Sequence, residues 1–150
     1  MFLSIFEHKL NKKNQVTLPA KLREELEREA LESKSDSKTL FLYSPDPRCL
    51  YVYTRKNIDE TILRLRALGT DADFRRGVIS RITEIEPDPQ GRFVLPEPVR
   101  KAAGIKQTVV WLGNIDRIEL WSKERWDEVQ AKVEPTFEEK MQHILHELEQ

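Results

Sequence analysis

The sequence predicts an α+β fold in which two tandem, pseudo-symmetric halves, each a β-hairpin plus helices, form one compact barrel-like domain. Three observations predict it. Around Leu18-Pro19 the chain reads Asn11-Lys-Lys-Asn14-Gln15-Val16-Thr17-Leu18-Pro19-Ala-Lys-Leu22-Arg23. Around Leu95-Pro96 it reads Asp88-Pro-Gln-Gly91-Arg92-Phe93-Val94-Leu95-Pro96-Glu-Pro-Val99-Arg100. A second pair of segments follows in the same order: 40–43 matches 109–112, and 50–60 matches 118–128. Third, short apolar runs alternate with charged helical stretches along most of the chain. Ordered matches of this kind argue for an internal repeat. The expected halves are 1–70 and 71–130, with an acidic amphipathic helix over 131–150.

Each element has a local reason. Phe6–Leu10 and Val16–Leu18 are strand-like runs flanking a hairpin turn at Asn11–Asn14. Gly91 supplies positive φ without steric cost, and Asn14 is one of the few other residues that tolerates it. Asn11 and Asp88 can accept the backbone N–H groups that close such turns. Pro19 and Pro96 suit the first turn of a helix. One helix is expected over Ala20–Leu31, with Leu22, Leu26 and Ala30 on one face, and a shorter one over Pro98–Ala103, stopped by Gly104.

Thr39–Tyr43 and Leu50–Tyr53 are expected to pair across Ser44-Pro45-Asp46-Pro47, and Val109–Leu112 and Arg117–Trp121 across Gly113–Asp116. Thr54 and Ser122 are N-cap residues for the helices through Ile58, Ile62 and Leu65 and through Trp126 and Val129. Asp71–Gly77 reads as a linker, Val78–Ile85 as an alternating strand, and 30–37 as a mobile loop. The tail after Pro135 carries an apolar stripe at Phe137, Met141, Ile144, Leu145 and Leu148, suited to its own domain or a neighbouring subunit.

Composition narrows function. The 150 residues carry a net charge of −1, but 119–150 hold nine acidic and four basic residues, a balance of −5, leaving +4 elsewhere. A mildly basic body can bind phosphate although the average is neutral. Cys49 is the only cysteine, read as a small apolar core residue, so no intrachain disulfide forms. The apolar opening 1–6 is too short for a signal peptide or membrane span, so a cytoplasmic protein with no membrane partner is expected. His143 and His146 read as a solvated helix face rather than a metal site, and His8 as structural. No cofactor is implied. Asp71 and Asp73 lack a nearby base, and no nucleophile constellation or phosphate-binding Gly-rich loop is present, so an enzyme is not expected.

From Asp88-Pro-Gln-Gly91-Arg92 through Leu95-Pro96 and Arg100, the chain resembles the MraZ family, relatives of the swapped-hairpin AbrB transcription factors. Arg75-Arg76, Gly113-Asn114, 118–121 and Trp126 share the likeness, which extends from Phe2 to Val129. The family pattern is an Asp-x-x-Gly-Arg turn in each of two halves. The resemblance implies a nucleoid-associated transcriptional regulator of the division and cell-wall gene cluster. Its members assemble into rings and bind direct repeats in double-stranded DNA through those turns.

Carried onto this chain, the likeness places Lys9, Lys12, Lys13 and Arg92 on phosphates, with Arg92 and Gln15 as base readers beside Asn14 and Gly91. In the first half Asn11, Asn14 and Gln15 replace Asp, Gly and Arg, so weaker or differently specific binding is expected there. One other reading stays open, an oligomeric scaffold that lost its DNA contact; an antitoxin-like dimer would need a single hairpin and a toxin-binding tail, and the two joined copies argue against it. The turns also admit a purely structural role, with an internal Asp88–Arg92 pair.

Overall fold

The computed structural model describes residues 1–35, 38–69 and 71–150. The chain opens with β1 (Phe2–Lys9), β2 (Gln15–Thr17), α1 (Ala20–Ser33), β3 (Leu40–Tyr43), β4 (Leu50–Tyr53) and α2 (Arg55–Ala67). It continues through α3 (Ala72–Ser80), β5 (Thr83–Ile85), β6 (Arg92–Val94), α4 (Glu97–Ala102), β7 (Thr108–Ile115), β8 (Arg117–Ser122) and α5 (Lys123–Leu148).

Six strands form one open antiparallel sheet in the order β1-β7-β8-β4-β3-β5, and β2 and β6 form a separate two-stranded antiparallel ribbon. The mixed α+β class is as expected. The barrel-like closure is not: β1 and β5 end the large sheet, and no pairing among the described residues joins them. The expected hairpins β3–β4 and β7–β8 form. Strands β1 and β2, expected to pair, lie in different sheets: β1 pairs with β7, and β2 pairs with β6, 77 positions away. Asn11–Asn14 therefore turns the chain from one sheet into the other.

Three local expectations change. Asp71–Gly77 is not a linker: the Asp71 carboxylate accepts from the Phe74 N–H at 2.8 Å and caps α3. Of the strand expected over Val78–Ile85, only Thr83–Ile85 forms, as β5; Val78–Ser80 is the end of α3, where the helix buries Val78. In place of the expected mobile loop, α1 runs to Ser33 and ends at Lys34, which adopts φ 54° and donates its N–H to the Ala30 and Leu31 carbonyls. The last part of that expected loop, Asp36 and Ser37, lies outside the described residues.

Two further boundaries move. The β7–β8 turn is tighter than read, because the ladder continues to Asn114↔Arg117 and leaves only Ile115, the last residue of β7 at φ 61°, and Asp116 outside its pairs. The helix after Ser122 runs through Pro135 without a break. A proline there removes one backbone hydrogen bond and favours a bend rather than a stop, since the residues around it face solvent.

The core lies between the sheet, the ribbon and α1. Leu22, Leu26 and Ala30 recur every four residues along one helix face and are all buried. Leu22 and Leu26 share one cluster with Val16, Leu18, Leu95, Ile118, Leu120 and the sealed Trp111, whose ring lies 6.3 Å and edge-on from Phe93. Each such aliphatic side chain contributes about 1.5–3 kcal/mol by leaving water. On the opposite sheet face a smaller cluster of Cys49, Val110 and Trp121 is covered by Tyr51, Trp126 and Val129. Burial pushes the Cys49 thiol up to about 12, so it packs as a small apolar group. Among the described residues no helix is long and apolar enough to cross a membrane.

Candidate nucleic-acid interface

Strand alternation decides which side chains the ribbon shows outward. Val16 and Phe93 pair with each other and face the core. Their neighbours Gln15, Thr17, Arg92 and Val94 therefore share the other face, with Gln15 opposite Val94 and Thr17 opposite Arg92. Because the ribbon is antiparallel and three residues long, the turns 11–15 and 88–92 stand at its opposite ends, about 7 Å apart along the strands. Arg92, Lys9, Lys12, Lys13 and Asn14 are exposed, Gln15 is partly exposed, and Gly91 is buried.

The two turns are built by the same bonds. In the first, Asn14 N–H donates to the Asn11 carbonyl (3.0 Å), and Asn11 N–H to the Gln15 carbonyl (3.2 Å). Asn11 Oδ1 accepts from the Lys13 and Gln15 N–H groups at 2.9 and 3.0 Å. In the second, Gly91 N–H donates to the Asp88 carbonyl (2.8 Å), and Asp88 N–H to the Arg92 carbonyl (2.9 Å). Asp88 Oδ1 accepts from the Gln90 and Arg92 N–H groups at 2.9 and 2.8 Å. Asn14 and Gly91 both adopt positive φ, 58° and 84°. Each turn also ties its first side chain to its last: Asn11 Nδ2 donates to Gln15 Oε1 (2.8 Å), and Arg92 Nε donates to Asp88 Oδ2 (2.8 Å).

The turns lock onto each other's strands. Leu18 N–H donates to the Gly91 carbonyl at 2.8 Å, and Leu95 N–H to the Asn14 carbonyl at 3.2 Å. Arg23, on α1, donates from Nη1 to the Pro89 carbonyl at 2.9 Å, so the first helix props the second turn. That role is not legible in the sequence, where Arg23 is only one of several basic residues, 66 positions from Pro89.

Electrostatically the turns differ. The Arg92 N–H and guanidinium hold the Asp88 carboxyl below its ordinary range, backbone donation first and the side chain second. The internal Asp88–Arg92 pair thus forms, engaging Nε and leaving both Nη groups without a hydrogen-bond partner among the described residues. The first turn lacks this neutralising pair, and Lys9, Lys12 and Lys13 have no carboxylate partner among the described residues. The degenerate turn is the more cationic one.

A pH titration separates the two. Asp88 is depressed when folded, so its stabilising contribution is present above the unfolded aspartate value of about 3.9 and is lost as pH falls through the lower folded value. Carboxyl-carbon NMR should show Asp88 titrating below the ordinary aspartate value of about 3.9, and amide shifts at Gln90 and Arg92 should move with it. Amides at Lys13 and Gln15 should stay still, because Asn11 does not titrate. An ordinary Asp88 titration would contradict the bonding described.

Comparison with known proteins places this geometry. The family described as "MraZ protein, putative antitoxin-like" matches residues 78–147. A protein of Caldanaerobacter subterraneus named Transcriptional regulator MraZ is 35% identical over 145 residues, covering 96% of each chain. Proteins of the same name from Desulforamulus reducens and Parafrankia are each 34% identical over 149 residues, with at least 97% of each chain covered. The chain belongs to the MraZ family. Within it, the Asp-x-x-Gly-Arg turn occurs here once as Asp88–Arg92 and once in the Asn11–Gln15 form. Sequence reasoning also missed Thr17 and Val94, which complete the ribbon face of this MraZ chain. Their alternation with Val16 and Phe93 was visible, but the cross-ribbon pairing was not.

Elsewhere, His143 pairs with Glu147 at 3.1 Å on exposed α5, and no group of three potential metal-ligating side chains is found among the described residues.

Proposed function

We propose that this chain is a sequence-specific regulator of transcription that binds double-stranded DNA through the β2–β6 ribbon and its two turns. The observation that carries the reading is the outward polar row Gln15, Thr17 and Arg92, flanked by unpaired lysines at one tip. The shared name of its relatives, Transcriptional regulator MraZ, supports the same class. A two-stranded ribbon fits a major groove, where an Arg fork reads guanine and a Gln amide reads adenine. The Asp88–Arg92 bond fixes the guanidinium's direction beforehand, lowering the entropy lost on contact. Lys9, Lys12 and Lys13 supply sequence-independent phosphate attraction.

In this proposal the chain is a duplicated unit, 1–70 and 71–130, followed by the helical tail 131–150. It works in the cytoplasm, at the nucleoid, as a closed homo-oligomeric ring. A head-to-tail ring presents the same ribbon repeatedly in one direction, which suits direct repeats upstream of the division and cell-wall gene cluster.

Fluorescence anisotropy with promoter duplexes, over a range of salt, tests the reading. Arg92→Ala should weaken specific binding by about 1–3 kcal/mol and relax preference at one base position. Lys12→Ala should weaken binding to all sequences and lower the log–log salt slope by about 1. A stable assembly without preference for any duplex would instead support an oligomeric scaffold.

A further inference from the structure

The C-terminal part of α5 leaves the body of the molecule. From residue 131 onward every side chain is exposed, and the helical stretch 131–148 reaches about 27 Å. Phe137, Met141, Ile144 and Leu148 form a stripe along it, each at least two-fifths exposed. The segment 131–150 carries five glutamates and two lysines, a net −3. Glu134, Glu138 and Glu139 have no cationic partner among the described residues.

A surface of opposite character lies elsewhere. Helix α3 buries only Val78 and leaves Phe74 and Ile79 half exposed. An open groove of about 470 Å³ runs along it, lined by Ala72, Arg75, Arg76, Ile79 and Ser80. Residues 63–81 carry five arginines and two aspartates, a net +3. Only Arg76 among those arginines has a carboxylate within salt-bridge distance among the described residues, the exposed Asp73 at 2.6 Å.

We propose that the α5 tail of one copy docks along α3 of the next, its stripe against Phe74 and Ile79 and its glutamates against Arg75, Arg76 and Arg81. The contact rests on the self-assembly proposed above and gives it a geometry. Tail and groove are different patches, so each copy offers one of each, and the contact is head-to-tail. Charge selects this occupant over a second tail. The stripe's 4-3-4 spacing also suits a short coiled coil, but pairing tails would set −3 against −3, whereas the groove sets −3 against +3.

Disulfide trapping in the full-length chain tests it, since buried Cys49 is silent. A chain carrying both Ile79→Cys and Met141→Cys should oxidise to a ladder of linked copies, while neither single variant should link. Dimers formed by Met141→Cys alone would overturn the groove contact in favour of paired tails.

Light scattering gives the second arm. Glu138→Lys with Glu139→Lys should raise the concentration needed for assembly at least tenfold, and adding Arg75→Glu with Arg76→Glu should restore it. These side chains are exposed, so circular dichroism should show an unchanged fold. A wild-type chain that stays monomeric would overturn the assembly reading itself. A wild-type assembly indifferent to both charge changes would overturn only the tail-to-groove contact.

Discussion

Gly91→Ala is expected to cost about 2–5 kcal/mol of stability and to abolish specific DNA binding together. Two effects add. An alanine at positive φ costs about 1–2 kcal/mol, and overpacking typically adds about 1–3 kcal/mol. The overpacking is severe here: a Cβ at Gly91 would lie 2.7 Å from the Leu18 carbonyl oxygen and 2.8 Å from Arg23 Cδ. The Leu18 carbonyl belongs to the chain leaving the ribbon, and Arg23 is held by the Pro89 carbonyl. Neither can retreat without breaking a bond that supports the turn. At the other tip the reciprocal change, Asn14→Gly, should be neutral or slightly stabilising, because Asn14 already adopts φ 58° in an exposed position. Thermal denaturation and anisotropy on the same samples decide it. A Gly91→Ala protein that melts with the wild type would show that the turn is less constrained than its bonds imply.

Why these turns were legible, and their partners were not, follows from the range of the forces involved. Turn chemistry is local. Asn11 and Asp88 accept from backbone N–H groups two and four residues on, and Asn14 and Gly91 supply the positive φ. All of that is written within five residues. Strand pairing is not local. β2 and β6 are three residues each, too short to specify a partner, and chain proximity suggested β1 for β2. The partner is chosen by burial, because only pairing Val16 with Phe93 puts both against Trp111 and Leu22.

The same contrast explains α3 and α5. Alternation over 78–85 looked like a strand, while the Asp71 cap that starts the helix sat seven residues earlier. The tail helix was expected to begin at 131, apart from the one after Ser122, yet a single helix runs through both, and around Pro135 it is solvated and loses little. At the interface, the sequence named Lys9, Lys12, Lys13, Gln15 and Arg92 but not Thr17, Val94 or the supporting Arg23. Those three take their roles from contacts across 66 to 79 positions.

The outer face of the large sheet rests on one buried carboxylate, and its removal should have the other large effect. Glu119 accepts from Arg117 Nε at 2.6 Å, Trp121 Nε1 at 3.0 Å and Asn114 Nδ2 at 3.2 Å. Glu119→Ala leaves the Trp121 N–H without an acceptor in a buried site and strands Arg117 above the Tyr51 ring. Breaking a buried pair typically costs about 3–5 kcal/mol, and Arg117 is partly solvated, so about 3 kcal/mol is expected. For a chain of this size that lowers Tm by roughly 6–12 °C. Glu119→Gln keeps an acceptor for Trp121 and should lose less. The consequence reaches α5, because the Trp121 ring packs edge-on against Trp126 at 5.7 Å, in the helix's first turn. Near-ultraviolet circular dichroism should therefore lose tryptophan signal in Glu119→Ala before the backbone signal changes, and protection of α5 amides from exchange should fall with it. An Ala variant with wild-type Tm and intact tryptophan signal would show that α5 is seated by its apolar contacts alone.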